Sequence, residues 1–395
     1  MNKLLFALMI IPFCLVVSCI KSTPFDGMFS GGSFNSHDLT PPPAGTVTLG
    51  AELNAFPRQM ILTSDNQIVI GAFLIDTAVD NRYRNFAKLI KTDLAGNIVW
   101  VKNVDPSYSS YMRSLCQDSN GDLIIAFGGM GYGSWGACLT KTDANGNIKW
   151  QKIINDTTVF CAAGDKNGFV VAGRTVIKDG TVYPSWIMGF DSNGDTLFSK
   201  QPLDSSTYNE LGQVALFDGC IIAATFKTTD DRKGSYMVYK FDRQGNHEWT
   251  KEIISYRSEG NNVINPITLS NQETFLVPVE LTEVTKLDFQ GNIISKFEKY
   301  GLLYANQAGG FWCVSGWGEN GQADASISLN DDAGATLWKK KYGGANNENG
   351  MAMVRLANGS MIIAADTKSY TNAANTFNDL WIFKVDSTGN QIPLQ

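Results

Sequence analysis

The chain has 395 residues, with 32 Lys and Arg against 38 Asp and Glu, which gives a net charge of -6. Charged residues make up 18% and hydrophobic residues 44% of the sequence, so the composition excludes a disordered chain and a coiled coil. An acidic chain without a Lys/Arg cluster is not expected to bind nucleic acid, because such binding needs a concentrated positive field. The two histidines, His37 and His247, are too few for a His-rich metal site or a His-based triad.

The first 19 residues predict an export signal followed by a lipid-modified cysteine. Leu4 to Val17 is an apolar run of 14 residues, whereas a membrane-spanning helix needs about 20, so the run predicts a signal-peptide core. It ends in Val16-Val17-Ser18-Cys19, which resembles the lipobox of bacterial lipoproteins. That resemblance implies that residues 1–18 are removed and that Cys19 carries acyl chains such as palmitate. An ordinary signal peptide that ends in Cys by chance is the alternative.

Residues 19–46 predict a flexible tether between the lipidated cysteine and the folded part. The segment is rich in Ser, Gly and Pro, including Pro41-Pro42-Pro43, and has no hydrophobic period. Acyl chains anchor a protein without a transmembrane helix, so we expect an outer-membrane location. No acidic pair follows Cys19, and both the periplasmic and the surface-facing position therefore stay open.

A repeat dominates residues 47–395. The phrase Lys-x-Asp-x-x-Gly-Asn occurs seven times, in full or in part, and its glycines are 43 to 55 residues apart: Gly96, Gly146, Gly194, Gly245, Gly291, Gly334 and Gly389. Each interval also contains a polar turn before an apolar run, as in Asn120-Gly121. Such dipeptides suit two-residue hairpin turns in which both central residues have positive φ. Four short strands per unit of about 50 residues predict an all-β fold, a seven-bladed β-propeller of four-stranded antiparallel blades.

The ring must be closed by pairing the chain ends, and two segments compete for that role. Thr46–Leu49 resembles the strand that follows each Gly-Asn turn, and it could supply the outer strand of the last blade. Gln391–Leu394 could do the same, but Pro393 fits only where the ladder needs no donor. The sequence therefore favours the N-terminal strand.

The repeated residues are predicted to be structural. The Asp carboxylate can accept backbone N–H groups of its turn while Gly takes the positive φ; these residues are Asp93, Asp143, Asp191, Asp242, Asp288, Asp331 and Asp386. A metal loop is the alternative, because Asp191-Ser-Asn-Gly-Asp195 alternates oxygen ligands, although it lacks the later Gly and acid of a calcium loop. The Lys two residues before Asp, present in five copies, is predicted to be exposed. A ring four residues after Gly is predicted to pack between blades: Trp100, Trp150, Phe198, Trp249 and Trp338.

The phrase Asp-x-x-Gly-x-x-x-Trp resembles the tryptophan-docking repeat of quinoprotein-like propellers. That group contains redox dehydrogenases and a non-catalytic outer-membrane assembly lipoprotein. Residues 47–395 are also similar to repeat propellers of secreted and lipid-anchored proteins of Gram-negative bacteria. The resemblance implies the fold and leaves the activity open. Quinone redox chemistry would need a calcium site and a dedicated acid; the sequence has no motif for either, so we expect no cofactor and no metal.

The longer connections are predicted to share the face opposite the tight turns and to form the binding surface. Rings beside amides and charges suit a protein partner or a glycan; the candidate residues are Tyr83, Arg84, Tyr108, Tyr132, Tyr183, Tyr208, Tyr256, Arg257, Trp317 and Tyr370. We therefore expect a binding or scaffold module without catalytic residues, as a monomer or as part of an envelope complex. The alternative is a polysaccharide hydrolase or lyase with paired carboxylates in the central funnel, drawn from Glu210, Glu259, Glu319 and Glu348.

Five cysteines remain in the propeller region, and all lie in or beside apolar runs: Cys116, Cys138, Cys161, Cys220 and Cys313. They are predicted to be small buried hydrophobic residues. One disulfide is the alternative in an oxidising compartment, and the sequence does not say which two would pair.

Overall fold

The computed structural model describes residues 43–49, 54–76, 84–104, 111–128, 136–165, 168–175, 185–200, 209–217, 219–228, 234–255, 268–270, 274–278, 283–306, 308–317, 323–370 and 378–394. The predicted signal peptide, the predicted lipidation site Cys19 and most of the predicted tether lie outside these residues. Within the described ranges, no helix is long and apolar enough to cross a membrane.

The described residues form 29 strands in seven antiparallel sheets, which confirms the predicted seven-bladed propeller. The short strand β1 (Val47–Leu49) comes first. Blades one to three comprise β2 (Asn54–Leu62), β3 (Ile68–Asp76), β4 (Arg84–Thr92) and β5 (Ile98–Asn103); β6 (Tyr111–Gln117), β7 (Leu123–Gly128), β8 (Gly136–Thr142) and β9 (Ile148–Asn155); β10 (Thr157–Asp165), β11 (Gly168–Thr175), β12 (Ser185–Phe190) and β13 (Thr196–Lys200).

Blades four to six follow the same order of four strands from the hub to the rim. They comprise β14 (Asn209–Phe217), β15 (Cys220–Thr228), β16 (Gly234–Asp242) and β17 (His247–Ser255); β18 (Thr268–Ser270), β19 (Thr274–Pro278), β20 (Glu283–Asp288) and β21 (Ile293–Glu298); β22 (Leu302–Ala305), β23 (Phe311–Trp317), β24 (Asp324–Asn330) and β25 (Thr336–Tyr342). Blade seven comprises β26 (Glu348–Arg355), β27 (Met361–Thr367), β28 (Asp379–Val385) and the two-residue strand β29 (Gln391–Ile392).

The core of the ring lies between the blades. All six residues of β7 are buried; Ile124 and Ala126 pack in the cluster shared with blade three, and Leu123 and Ile125 in the cluster shared with blade one. A strand covered on both faces is apolar at every position, which explains the continuous apolar runs in the sequence. The seven clusters of the described residues correspond to the seven junctions between blades.

Both chain ends close the ring. Strand β1 pairs with Leu380–Ile382 of β28, and β29 pairs with Lys384 and Val385 further along the same edge. The two segments meet at Pro393, where the Leu394 N–H donates to the carbonyl of Gly45 at 2.9 Å. The outer strand of blade seven is therefore divided between the N-terminal and the C-terminal segment, and the proline lies at the break, where β28 needs no donor.

The hairpin turns differ from the two-residue geometry that the sequence predicts. At Asn120-Gly121 and Asn358-Gly359 only the glycine has positive φ. The Gly N–H donates to the carbonyl three residues earlier, as Gly121 does to Asp118 at 3.1 Å. These are type I turns followed by a glycine bulge, a geometry that leaves the asparagine in an ordinary conformation.

Candidate functional site

The order of strands in each blade separates two kinds of connection. Because neighbouring strands are antiparallel, the first and third hairpin connections of a blade lie at one end, which we call the turn face. The second hairpin connection and the crossing to the next blade lie at the other end, which we call the loop face. The two faces can therefore be compared blade by blade.

The turn face repeats one hydrogen-bonding pattern. In all seven copies the repeated Asp accepts the N–H groups two and four residues later, at 2.8–3.0 Å. Donors aimed at the carboxylate stabilise its charged form. Hydrogen bonds from Thr388 and Asn390 lower the pKa of Asp386 to about 2. Among the described residues, no group of three or more His, Cys, Asp or Glu side chains is placed to hold a metal ion.

The repeated lysines connect neighbouring blades on the turn face. The prediction that they are exposed is wrong: Lys91, Lys141, Lys286 and Lys384 are 3–7% exposed. In four copies the ammonium donates to the backbone carbonyl one residue after the repeated Asp of the next blade: Ala144 for Lys91, Ser192 for Lys141, Phe289 for Lys240 and Asp332 for Lys286. Each of these lysines is buried because its side chain crosses the junction to the turn of the next blade. The sequence of a single strand does not show a contact with another blade.

The lysine of blade two also carries a buried ion pair. Its ammonium lies 2.7 Å from Asp118 Oδ2 and 3.1 Å from Asp122 Oδ2. Burial by itself lowers the pKa of Lys141, but the hydrogen bonds and charges of the two aspartates outweigh it and raise that pKa. The carboxylates of Asp118 and Asp122 thus face a lysine.

The repeated rings pack on the turn of the next blade. Five rings lie on the turn glycine of the next blade: Trp100 on Gly146, Trp150 on Gly194, Phe198 on Gly245, Trp249 on Gly291 and Trp338 on Gly389. If any of these glycines carried a Cβ atom, the nearest ring atom would be 2.5–3.1 Å from it. Phe297, six residues after its own glycine rather than four, lies in the same way on Gly334. The glycine leaves space for a ring, and the ring couples adjacent blades.

One buried acid organises the described part of the loop face between blades six and seven, residues 343–346 and 367–370, which we call the platform. Glu348 is 0% exposed, and its carboxylate accepts from Thr367 Oγ1, Ser369 N and Gly344 N, each at 3.0 Å. These bonds fix the exposed segment 343–346 against residues 367–370. Glu348 therefore positions a surface, and its oxygens are engaged in holding the backbone.

Two further buried acids lie beside this platform. Asp366 accepts from Asn349 N at 2.9 Å and from Asn378 Nδ2 at 2.7 Å, while Asp379 is 1% exposed and its Oδ2 has no hydrogen-bond partner within the described structure. Burial raises the pKa of Asp366, and it raises the pKa of Asp379 to about 7. Asp379 is thus half-protonated near neutral pH.

The hub of the ring carries residues that sequence reasoning missed. The first strands of neighbouring blades contact one another, as β6 does with β2 and β10. In five blades this first strand contains a bulge at the same place. The extra residue is Arg58 in blade one and Arg113 in blade two, and both are exposed. A break in strand alternation was the only sequence signal for them.

Three of the ten predicted ligand residues lie within the described ranges. Arg84 begins β4 and Trp317 ends β23, and both strand ends lie at the loop face. Tyr370 is 8% exposed, with its ring centroid 4.9 Å from that of Trp381. The other seven predicted residues lie outside the described ranges: Tyr83, Tyr108, Tyr132, Tyr183, Tyr208, Tyr256 and Arg257.

All five cysteines of the described propeller are free thiols, and four of them are buried. Burial raises the pKa of Cys116 and of Cys313 to about 12, which keeps both thiols protonated at neutral pH. The structure pairs none of these five residues. Cys116, Cys138, Cys161 and Cys220 lie in or against the hydrophobic clusters between blades, as small apolar side chains do. The Cys313 thiol donates to the Tyr300 carbonyl at 3.0 Å.

Comparison with known proteins gives structural likeness only. No model of a known protein family matches the sequence, and no curated protein matches it. BamB from Moraxella catarrhalis is 15% identical, with 89% of this chain and 98% of that chain covered and a TM-score of 0.43. A protein of unknown function from Dyadobacter fermentans is 10% identical, with 86% and 98% covered and a TM-score of 0.47. The acylaminoacyl peptidase of Pyrococcus horikoshii is 10% identical, with 85% of this chain and 52% of that chain covered and a TM-score of 0.50. At such identities the likeness concerns the fold alone.

Proposed function

We propose that this protein is a lipid-anchored binding module of the bacterial cell envelope and that its loop face binds a partner protein. The contrast between the turn face and the loop face of the propeller carries the proposal. The turn face repeats one hydrogen-bonding pattern in seven blades, whereas the connections on the loop face differ in length and sequence from blade to blade. Variable loops on a uniform scaffold are typical of binding surfaces.

The platform between blades six and seven supports the same function. Its exposed residues, 343–346, have backbone held by a buried carboxylate and by Asn346 N donating to Ser369 Oγ at 2.8 Å. A surface ordered before binding loses little conformational entropy when a partner docks. The alternative, a hydrolase with paired carboxylates, gains no such support. One of its candidate acids is Glu348, and the carboxylate of Glu348 accepts the hydrogen bonds that hold the platform.

A pair of matched substitutions tests the binding surface. Ala345 is exposed on the loop face and Ala333 is exposed on the turn face of the neighbouring blade. The fragment 20–395, immobilised, is expected to capture an envelope protein, and Ala345→Arg is expected to abolish capture while Ala333→Arg preserves it. Capture that survives Ala345→Arg and is lost in Ala333→Arg would contradict the proposal, because it would place the binding surface on the turn face. Binding on a glycan array without a captured protein would replace the protein partner by a glycan.

The lipid anchor is tested separately. The proposal rests on the run Leu4–Val17 and on Val16-Val17-Ser18-Cys19. Cells grown with radioactive palmitate are expected to label the wild-type protein and Cys14→Ala, because Cys14 is removed with the signal peptide. Cys19→Ala is expected to lose the label. Label retained in Cys19→Ala contradicts the anchor and leaves the binding surface untouched.

A further inference from the structure

The junction between blades five and six contains a cavity of about 300 Å³. The junction has the smallest hydrophobic cluster of the described ring. Ser326 and Ser328 stand five and three residues before the repeated Asp of blade six, where blade seven has Trp381 and Phe383. Those two rings are fully buried and stack with centroids 4.1 Å apart at the next junction. Two serines in place of two rings leave the space between blades five and six unfilled.

The floor of the cavity is polar. Ser315, Ser326 and Ser328 are 6%, 2% and 7% exposed, and they line the cavity together with Cys313. Ser315 Oγ donates to Ser326 Oγ at 3.5 Å, and Asn330 Nδ2 donates to Ser328 Oγ at 3.1 Å. A hydroxyl that accepts one hydrogen bond keeps its own proton as a donor. The floor can therefore offer O–H donors to a molecule in the cavity.

Two lysines line the same cavity, Lys299 and Lys339. The Lys299 ammonium donates to Thr336 Oγ1 at 2.7 Å. Burial lowers the pKa of Lys299, and the positive charge of Lys339 adds to the lowering. Lys299 is half-buried and Lys339 is exposed. Two ammonium groups that repel each other are stabilised when an anion lies between them.

The segment that crosses from blade five to blade six fixes the depth of the cavity. Gly301 has a φ of +130°, and a Cβ on it would lie 2.8 Å from Ser315 Cβ and 2.9 Å from Cys313 Sγ. The crossing backbone thus passes close over the floor, and only glycine fits there. Beside it, Tyr300 is 41% exposed and Glu298 is exposed, and both line the cavity.

We propose that this cavity binds a small molecule through an oxyanion head group, a phosphate or a carboxylate. The Lys299 and Lys339 ammonium groups neutralise the head group, and the serine hydroxyls donate to its oxygens. The Glu298 carboxylate repels an anion, so the head group lies toward the lysines and the rest of the molecule toward Glu298 and the Tyr300 ring. The volume fits a small ligand. The crossing that lines the cavity belongs to the loop face, but it joins blades five and six, whereas the platform lies between blades six and seven. The test of this site is therefore separate from the test of the proposed partner protein.

Calorimetric titration of the purified protein with inorganic phosphate, and in parallel with acetate, tests the site. Saturable binding with one ion per chain is expected for at least one of the two probes, and the stronger one identifies the head group. Lys299→Gln removes one charge-assisted contact and is expected to weaken binding about tenfold or more. Ser328→Phe restores the ring that blade seven has at this position and is expected to abolish binding by filling the cavity.

Lys341→Gln is the matched control. Lys341 is an exposed lysine on β25, the strand that carries Lys339, and it does not line the cavity. It removes the same charge and is expected to leave the affinity unchanged. Thermal unfolding of each variant separates loss of the site from loss of the fold, and Lys299→Gln provides the result if Ser328→Phe does not fold. The proposal is overturned if neither probe binds the wild-type protein, or if Lys299→Gln and Lys341→Gln weaken binding equally.

Discussion

Replacement of Lys141 by methionine tests whether a buried lysine connects blades two and three. The side chain of Lys141 is 4% exposed, and those of its partners Asp118 and Asp122 are 1% and 7% exposed. Methionine keeps the length of the chain but leaves Asp118 Oδ2 buried without its cation. Removal of one partner of a buried pair costs about 3–5 kcal/mol, because the remaining charge is uncompensated.

The expected change in melting temperature follows from the size of the propeller. At about 2.1 cal/mol/K per residue over roughly 350 residues, unfolding entropy is about 0.7 kcal/mol/K, so Lys141→Met lowers the melting temperature by about 4–7 °C. Calorimetry or circular dichroism at neutral pH measures this shift. The contact with the Ser192 carbonyl of blade three adds to it.

Lys149 offers an exposed control on one of the same carboxylates. It pairs with the same Asp122 at 2.6 Å, but its side chain is 47% exposed. An exposed ion pair contributes about 0–1 kcal/mol, so Lys149→Met is expected to lower the melting temperature by about 1 °C or less. Equal and small shifts for Lys141→Met and Lys149→Met would refute the reasoning that burial makes the repeated lysine a connection between blades.

The pH dependence of Lys141 has a definite sign. Its pKa is raised in the folded protein, so the ion pair contributes its full stability below the ordinary lysine pKa of 10.5. That contribution is lost as the pH rises through the higher folded-state pKa. The difference in stability between the wild-type protein and Lys141→Met should therefore be constant at neutral pH and shrink in strongly alkaline solution.

Three further predictions concern the turns and a buried acid. Gly194→Ala should destabilise the fold more than Gly219→Ala in denaturant unfolding, since both glycines have positive φ but only Gly194 has a ring, that of Trp150, 2.6 Å from the added Cβ; equal losses would contradict the ring packing. Asp386 has a pKa lowered to about 2, so its turn contributes stability above pH 3.8 that is lost as the pH falls toward 2, and Asp386→Asn should flatten this acid limb of the unfolding curve. Asp379 has a pKa raised to about 7, so its charge opposes folding increasingly as the pH rises from 3.8 to 7. Asp379→Asn should therefore raise the melting temperature at pH 8 and change it little below pH 3.8. An equal shift of the melting temperature at both pH values would exclude titration of Asp379 as the cause.

The candidate binding surface was only partly within reach of sequence reasoning. The separation into a turn face and a loop face follows from counting strands, and the structure has the same alternation of connections. Tyr370 shows the limit, because its position in a long connection suggested a ligand contact, whereas its ring packs on Trp381. A loop residue is buried or exposed according to which neighbouring blade lies beside it, and a local pattern contains no such information.

The sequence by itself determined the repeat unit, the number of blades and the chemistry of the turns. The turns depend on interactions within about five residues, such as Asp93 accepting the N–H groups of Ala95 and Asn97, so the same residue types recur in the sequence at every turn. The number of recurrences gives the number of blades. The tertiary structure alone decided the burial of Lys141, the division of the closing strand between both chain ends, the hub position of Arg58 and the cavity above Ser328. These features join residues that are tens to hundreds of positions apart, and they arise only when one blade packs against the next.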